Sequence, residues 1–309
     1  MIHPIPSGTR DVLPDEMREL RAITEAIRGV FESSGYGEIA TPALEYEAVL
    51  TRGDPAAAGA AYKLFDEHGD VLVLRSDMTI PIARVIGTRY ATTEPPLRFC
   101  YFAHAYRSVR PQRGHAREIL QAGLELVGAP GPDGTAEALT VLCAGLDAAG
   151  LENYRIGLGD ASLYRRLLDR LGVPAGARPQ ILHELVTRDF VGLEREVEAH
   201  RHEELVRVPQ LRGGVDVLEG IPEAAELRAV HDLLAPDVAA RVIFDLGLIR
   251  DLDYYTGAVF EVYDAALGAP IGGGGRYDDL LGRFGRELPA CGWALNVERL
   301  HMARVGEGR

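Results

Sequence analysis

The sequence predicts an α+β fold, an antiparallel sheet with helices packed against it, on three observations. Helical and strand patterns are interleaved without the regular βαβ alternation of a doubly wound sheet. Strand candidates fall in neighbouring, hairpin-like pairs, Lys63–Asp66 with Val71–Leu74 and Leu97–Arg107 with Glu118–Gly128. A charge-mixed helical stretch from about 162 to 240 separates the early strands from the late ones.

Taken in order, Pro14–Gly35 reads as a helix. Met17, Leu20, Ile23, Ile27 and Val30 recur at helical spacing, and Gly35 suits the stop. Tyr36–Pro42 reads as a short strand closed by proline, and Asp54–Ala61 as an Ala/Gly-rich mobile loop. The hairpin around His68-Gly69-Asp70 follows, then a helix through Ile80–Tyr90 capped by Ser76 or Asp77. After the two strands flanking a polar, basic link at 108–117, Asp133 is placed to cap a helix with Leu139, Leu142 and Leu146 on its apolar stripe. Tyr154–Leu158 reads as a strand, and prolines at 174, 179, 209 and 222 break the helical stretch behind it. Strands return at Val242–Arg250 and Tyr255–Tyr263. The glycine run Gly272–Gly275 reads as a turn into a helix through Tyr277–Phe284, before the strand Cys291–Leu295 and the closing helix Val297–Arg304.

Composition narrows the function classes. With 47% hydrophobic and 26% charged residues the chain is of the globular type. No apolar run is long enough to span a bilayer and no signal peptide precedes Arg10, so a cytoplasmic, membrane-free protein is expected. Cys100, Cys143 and Cys291 are too scattered for a zinc site or a disulfide framework, and the histidines form no metal-spaced set. A net charge of -13 argues against an extended phosphate-backbone footprint. Lys63 is the only lysine, so there is no P-loop, and no cofactor is expected.

Four constellations stand out. Arg98, Arg107, Arg110, Arg113 and Arg117 crowd a stretch with no acid, either an anion site or a solvated loop whose arginines pair elsewhere. Alternation in Ile119–Val127 puts Leu120, Leu124 and Leu126 on one strand face and Gln121, Gly123 and Glu125 on the other. The amide and the carboxylate then flank a gap left by glycine, where a ligand's N–H groups would meet two acceptors; an ordinary half-exposed strand is the alternative. Leu248–Phe260 sets Arg250, two acids and the pair Tyr254–Tyr255 between apolar runs. Gly272–Gly275 allows close backbone approach but lacks dinucleotide-loop spacing.

In this order the segments resemble histidyl-tRNA synthetase, a class II aminoacyl-tRNA synthetase, over nearly the whole chain. Pro6–Pro14 is similar to the family's opening and Glu38–Pro42 to its motif 1. Arg107 with Arg110–Gly114 is similar to motif 2, and Gly292–Arg299 to motif 3. Arg250–Gly257 and Gly273–Asp278 resemble the two histidine signatures. The resemblance implies a class II synthetase-like antiparallel sheet flanked by helices, one core over residues 1–309 with a helical insert at about 162–240. It implies a histidine site made of Asp77, Thr79, Arg107, Gln121, Glu125, Arg250, Tyr254, Tyr255 and Tyr277. Arg107, Arg110, Arg113 and Arg299 would form a residual anion site.

The departures fall on the ATP and tRNA sides. Val109 stands where motif 2 carries an acid, His115 where the family has an arginine, Asp251 where it has glycine, and Asn296 where motif 3 has glycine. Asp77 replaces the usual longer glutamate. The sequence ends about ten residues after motif 3, so an anticodon-binding domain and tRNA are not expected. This pattern resembles the regulatory subunits of short-form ATP phosphoribosyltransferase. The resemblance implies a non-catalytic, histidine-sensing subunit with a catalytic-subunit partner and a homodimeric core. Two other functions compete: a histidine-adenylating enzyme with a non-tRNA acceptor, and a scaffold with an empty site.

Overall fold

Pro14 opens the first helix, α1 (Pro14–Ser33), where its missing N–H costs nothing. Leu20, Ile23, Ile27 and Phe31 form the buried stripe, and Gly35 leaves the helix at φ +78°. The structure is a computed structural model that describes residues 5–108, 116–187, 189–198, 202–248 and 254–307.

Three short elements follow: β1 (Gly37–Glu38), β2 (Leu44–Tyr46) and α2 (Glu47–Gly53). The expected mobile loop at 54–61 instead contains a helical turn, α3 (Pro55–Gly59). Asp54 is extended and its Oδ1 accepts the Ala56 N–H at 2.9 Å, so an Asp-Pro start followed by alanines was the signal to read. Strands β3 (Lys63–Phe65) and β4 (Val71–Leu74) form the expected hairpin, with Gly69 at φ +87° in its turn. With β2 they make a small antiparallel sheet. Helix α4 (Thr79–Arg89) is entered through Asp77, whose Oδ1 accepts the Ile80 N–H at 3.0 Å.

The main sheet begins with β5 (Leu97–Tyr106) and β6 (Glu118–Val127) and continues past α5 (Asp133–Ala148) to β7 (Arg155–Asp160). Asp133 lies inside the first turn of α5 and makes no capping bond, because Pro132 takes the cap position. From β7 the chain is largely helical: α6 (Leu163–Arg170), α7 (Arg178–Thr187), α8 (Phe190–Glu198), α9 (Glu204–Arg207), a two-residue β8 (Arg212–Gly213), α10 (Ala225–Leu233) and α11 (Pro236–Ala239). Then come β9 (Val242–Asp245), β10 (Ala258–Tyr263), β11 (Gly272–Arg276), β12 (Ala290–Asn296) and α12 (Val297–Glu307). Strand β9 stops short of its expected end because Asp245 Oδ1 accepts the Gly247 N–H at 3.1 Å and turns the chain.

The nine strands run β1-β5-β6-β12-β11-β10-β7-β9-β8. The sheet is mixed rather than purely antiparallel: β1 lies parallel to β5, and β7 parallel to β9. A parallel neighbour needs a long crossover, which the helical stretch between β7 and β9 supplies.

The glycine run is the larger correction. Gly272–Arg276 is a central strand, not a turn, and only Leu281–Phe284 beyond it is helical, as a 3₁₀ turn. An ideal Cβ at Gly274 would lie 2.0 Å from the Gly292 carbonyl oxygen and 2.6 Å from Trp293 Cβ, so no side chain fits. The sheet buries both faces. Leu124, Leu126, Leu158, Phe260 and Trp293 face α1, α5 and α12 in the main core. On the other face Phe99, Tyr101, Val127 and Ala290 pack with Met78, Ile82 and Ile86 of the α4 segment, and the candidate site opens there.

Candidate ligand-binding site

Strand alternation puts Gln121, Gly123 and Glu125 of β6 on the second face, and all three are buried rather than half exposed. Glu125 is only 1% exposed. Its Oε1 accepts the Thr79 hydroxyl at 2.7 Å from the start of α4, and its Oε2 accepts the Tyr277 hydroxyl from the segment after β11. Burial dominates over these two bonds and pushes the Glu125 carboxyl up to about 8.

The gap expected beside Gly123 is not open. Tyr101 of β5 pairs directly with Gly123, and its phenol lies where a side chain would be; an ideal Cβ at 123 would fall 2.4 Å from the Tyr101 hydroxyl. A cavity of 230 Å³ opens over this floor. Asp77, Thr79, Tyr101 and Gln121 line it, together with Tyr254, Tyr255 and Tyr277. The ring centroids of Tyr254 and Tyr255 are 4.9 Å apart, and Tyr254 meets Tyr277 edge-on at 5.9 Å. Gly275 makes room for these rings, since a Cβ there would lie 2.8 Å from the Tyr255 ring.

Electrostatically the site is rich in acceptors. Asp77 Oδ2 accepts the Ser76 hydroxyl at 3.0 Å, yet burial pushes its carboxyl up, opposed by these bonds and by the Arg107 charge. Gln121 Oε1 is buried and has no hydrogen-bond partner among the described residues. Tyr101 and Tyr277 are held far above the ordinary phenol range by burial, so both keep their protons. Arg107, Arg299, Asn296 and Glu261 also line the cavity, and Asn296 pairs with Gln121 across β12 and β6. The Arg299 side chain donates to the Pro270 carbonyl at 2.7 Å, and its backbone N–H is accepted by Asn296 Oδ1 at 2.9 Å.

Of the residues expected from sequence, Asp77, Thr79, Arg107, Gln121, Tyr254, Tyr255, Tyr277 and Arg299 line this one cavity, and Glu125 lies beneath it. Arg110, Arg113 and Arg250 lie outside the described residues, as do the departures Val109, His115 and Asp251. Sequence reading missed Tyr101, hidden in an apolar strand, and Glu261, the one acid in the apolar run of β10. Pairing of Glu261 with Gly273 across β10 and β11 brings it to the cavity. Among the described residues no cluster of histidine, cysteine or acid side chains is arranged to hold a metal, and no helix is long and apolar enough to cross a membrane.

The family model described as histidyl-tRNA synthetase matches residues 8–300. The ATP phosphoribosyltransferase regulatory subunit of Moorella thermoacetica is 41% identical over 97% of this chain and 82% of that protein. Its namesake in Rubrobacter xylanophilus is 40% identical over 95% of this chain and 75% of that protein. The chain belongs to the histidyl-tRNA synthetase-like family of ATP phosphoribosyltransferase regulatory subunits. A solved member of this group, the ATP phosphoribosyltransferase regulatory subunit/histidyl-tRNA synthetase from Bacillus halodurans, superposes with a TM-score of 0.90 at 29% identity, over 98% of this chain and 84% of that one. A histidine–tRNA ligase subunit from Alicyclobacillus acidocaldarius gives 0.79 at 32% identity, over 100% and 98%. The α+β class II synthetase-like fold of the regulatory-subunit family therefore accounts for the sheet that carries the cavity.

Proposed function

We propose that this chain is the histidine-sensing, non-catalytic subunit of an ATP phosphoribosyltransferase and that L-histidine is the ligand of the cavity. The observation that carries the reading is the Gln121 amide oxygen, a buried acceptor without a partner among the described residues. An unmet buried acceptor is costly unless a ligand supplies the donor. Free histidine matches the cavity's polarity. Its ammonium group suits Asp77, Thr79 and Gln121, its ring Glu125 and Tyr255, and its carboxylate Arg107, with Arg250 as the second cation. Tyr254 and Tyr277 complete the wall. No cofactor or tRNA takes part in this reading, and the cytoplasm is its setting.

Names of the relatives support a catalytic ATP phosphoribosyltransferase subunit as partner. A second copy of the core is the other partner. Leu44, Tyr46 and Leu64 expose one apolar face of the small sheet next to the motif 1 segment, which suits self-association. Feedback requires histidine to bind the active and inhibited states of the assembly unequally. An adenylating enzyme is the second reading, favoured by Arg107 and Arg299 sharing the cavity, where they would balance phosphate charge.

The test is calorimetric titration with L-histidine, then ATP, followed by assay of the reconstituted complex. Histidine heat without pyrophosphate exchange is expected. Glu125→Ala should abolish histidine inhibition and leave assembly intact. Absence of histidine binding at millimolar concentration would sink the reading, and robust exchange would move it to the adenylating enzyme.

A further inference from the structure

Resting on the histidine reading of the cavity, we infer that Asn296 is a specificity-determining residue. It confines the site to histidine with a free carboxylate and turns away histidine that carries a further group there, as in a peptide or an acyl conjugate. Strand register draws the floor from which this follows. Residues directly opposite each other on paired strands share a face. Tyr101 of β5 pairs with Gly123 of β6, Gly123 with Ala294 of β12, Ala294 with Gly273 of β11, and Gly273 with Glu261 of β10. From Gly123 to Glu261 is three strand spacings, about 14 Å, and nothing larger than a methyl group stands between them on this rung. Tyr101, Ala294, Gly273 and Glu261 all line the cavity, so the rung forms a trough longer than free histidine.

Asn296 stands on the next rung, opposite Gln121. The site face of β12 runs Gly292, Ala294, Asn296, and only the last carries more than a methyl group. Its side chain is fixed. The Oδ1 accepts the Arg299 N–H at 2.9 Å, the Asn296 backbone N–H donates to the Ile271 carbonyl at 2.9 Å, and the Arg299 side chain donates to the Pro270 carbonyl at 2.7 Å. Satisfying Gln121 is not its task, because Gln121 Oε1 has no partner among the described residues. Nor does capping α12 demand asparagine, since serine caps as well and glycine gives up little.

The ligand brings its carboxylate to this point. Its ammonium sits at Asp77, Thr79 and Gln121, and the carboxylate is attached to the same carbon. Facing residues of a strand pair hold their Cβ atoms about 5 Å apart, so a carboxylate beside Gln121 is within reach of Asn296. On β5 Ala103 lies opposite Gln121, and Arg107 lies beyond that rung on the same face, where it draws a free carboxylate. A group attached to the carboxylate needs further room. The low ground is the trough toward Gly273 and Glu261, and Asn296 stands at its edge, one rung from Ala294. The volume agrees: 230 Å³ is below the roughly 300–1,000 Å³ of sites for larger organic ligands. Glu261, an acid at the far side of the trough, adds a bias against an extension that is itself anionic.

The experiment is calorimetric titration of the full chain, and of Asn296→Gly and Asn296→Ser, with L-histidine, L-histidinamide and L-histidylglycinamide. Histidinamide loses the carboxylate charge without added bulk, so the ratio between the two amides isolates size. For the wild type we expect histidylglycinamide to bind at least about 30-fold more weakly than histidinamide. Asn296→Gly should bring that ratio within about threefold, and Asn296→Ser, which still caps α12, should fall between. A side chain needed only as a cap would leave the ratio unmoved in both variants. Three results overturn the inference: equal or tighter binding of histidylglycinamide to the wild type, an unmoved ratio in the variants, or no binding of histidinamide. The last would put the selection in the Arg107 charge contact. Each of these leaves the histidine site standing. Failure of histidine itself to bind the wild-type chain removes both. The wild-type ratio does not depend on either variant folding.

Discussion

Replacing Glu125 by Gln should make the ligand-free protein more stable at alkaline pH. In the folded chain the carboxyl is raised to about 8 by burial, against 4.5 in the unfolded chain. The folded state therefore keeps a proton that the unfolded state has released, and stability falls as pH rises through this window. The contribution is fully present below about 4.5 and lost by about 8. At roughly 1.4 kcal/mol per pH unit the loss amounts to about 5 kcal/mol. Glutamine has nearly the same shape, still accepts at its carbonyl oxygen, and does not titrate. Asp77, whose carboxyl is raised in the same direction mainly by its own burial, is present in both proteins, so that burial contribution enters both curves. The assay is urea denaturation of both proteins at half-unit steps from pH 5 to 8.5 without histidine. The wild type should lose stability relative to Glu125→Gln by several kcal/mol across the series. Parallel curves would refute the argument that burial keeps this carboxyl neutral.

Other substitutions probe the floor and the strand beneath it. Gln121→Met removes an acceptor that has no partner among the described residues. It should raise the ligand-free melting temperature, by roughly 1 kcal/mol of stability, and weaken histidine binding about tenfold; a lowered melting temperature would contradict this. Gly274→Ala places a Cβ 2.0 Å from the Gly292 carbonyl oxygen and should cost about 3 kcal/mol or more. By contrast, Gly29→Ala on the exposed side of α1 meets nothing within 4 Å and should gain roughly 0.5–1 kcal/mol in the same denaturation assay.

Much of the frame was legible because side chains announce it. The spacing of Leu20, Ile23 and Ile27 gave α1, and alternation in Ile119–Val127 correctly separated the core face from the site face. What failed was written without side chains or at long range. Gly272–Gly275 has no periodicity to read, so a central strand looked like a turn. Ala56 and its neighbours carry no amphipathic pattern, and only the Asp54–Pro55 start betrayed α3. The parallel pairing of Gly37 with Phe99 joins residues far apart in sequence, which local pattern does not encode. Most of the residues that motifs name gather around one cavity. Tyr101 was not readable, because its role depends on the glycine opposite it on β6, a relation that appears only once the two strands are in register.

Strand β11 is a partition one backbone thick. Gly273 borders the cavity, while Gly274 abuts Gly292 and Trp293 in the sheet. A side chain added at 273 would take cavity space, and one added at 274 would force the β11–β12 seam apart. Elsewhere in a protein a binding surface and its support can drift separately, because a layer of side chains lies between them and absorbs the change. Here that layer is missing. Selection on recognition and selection on folding act on the same few atoms, so mutation has almost no neutral room along this strand.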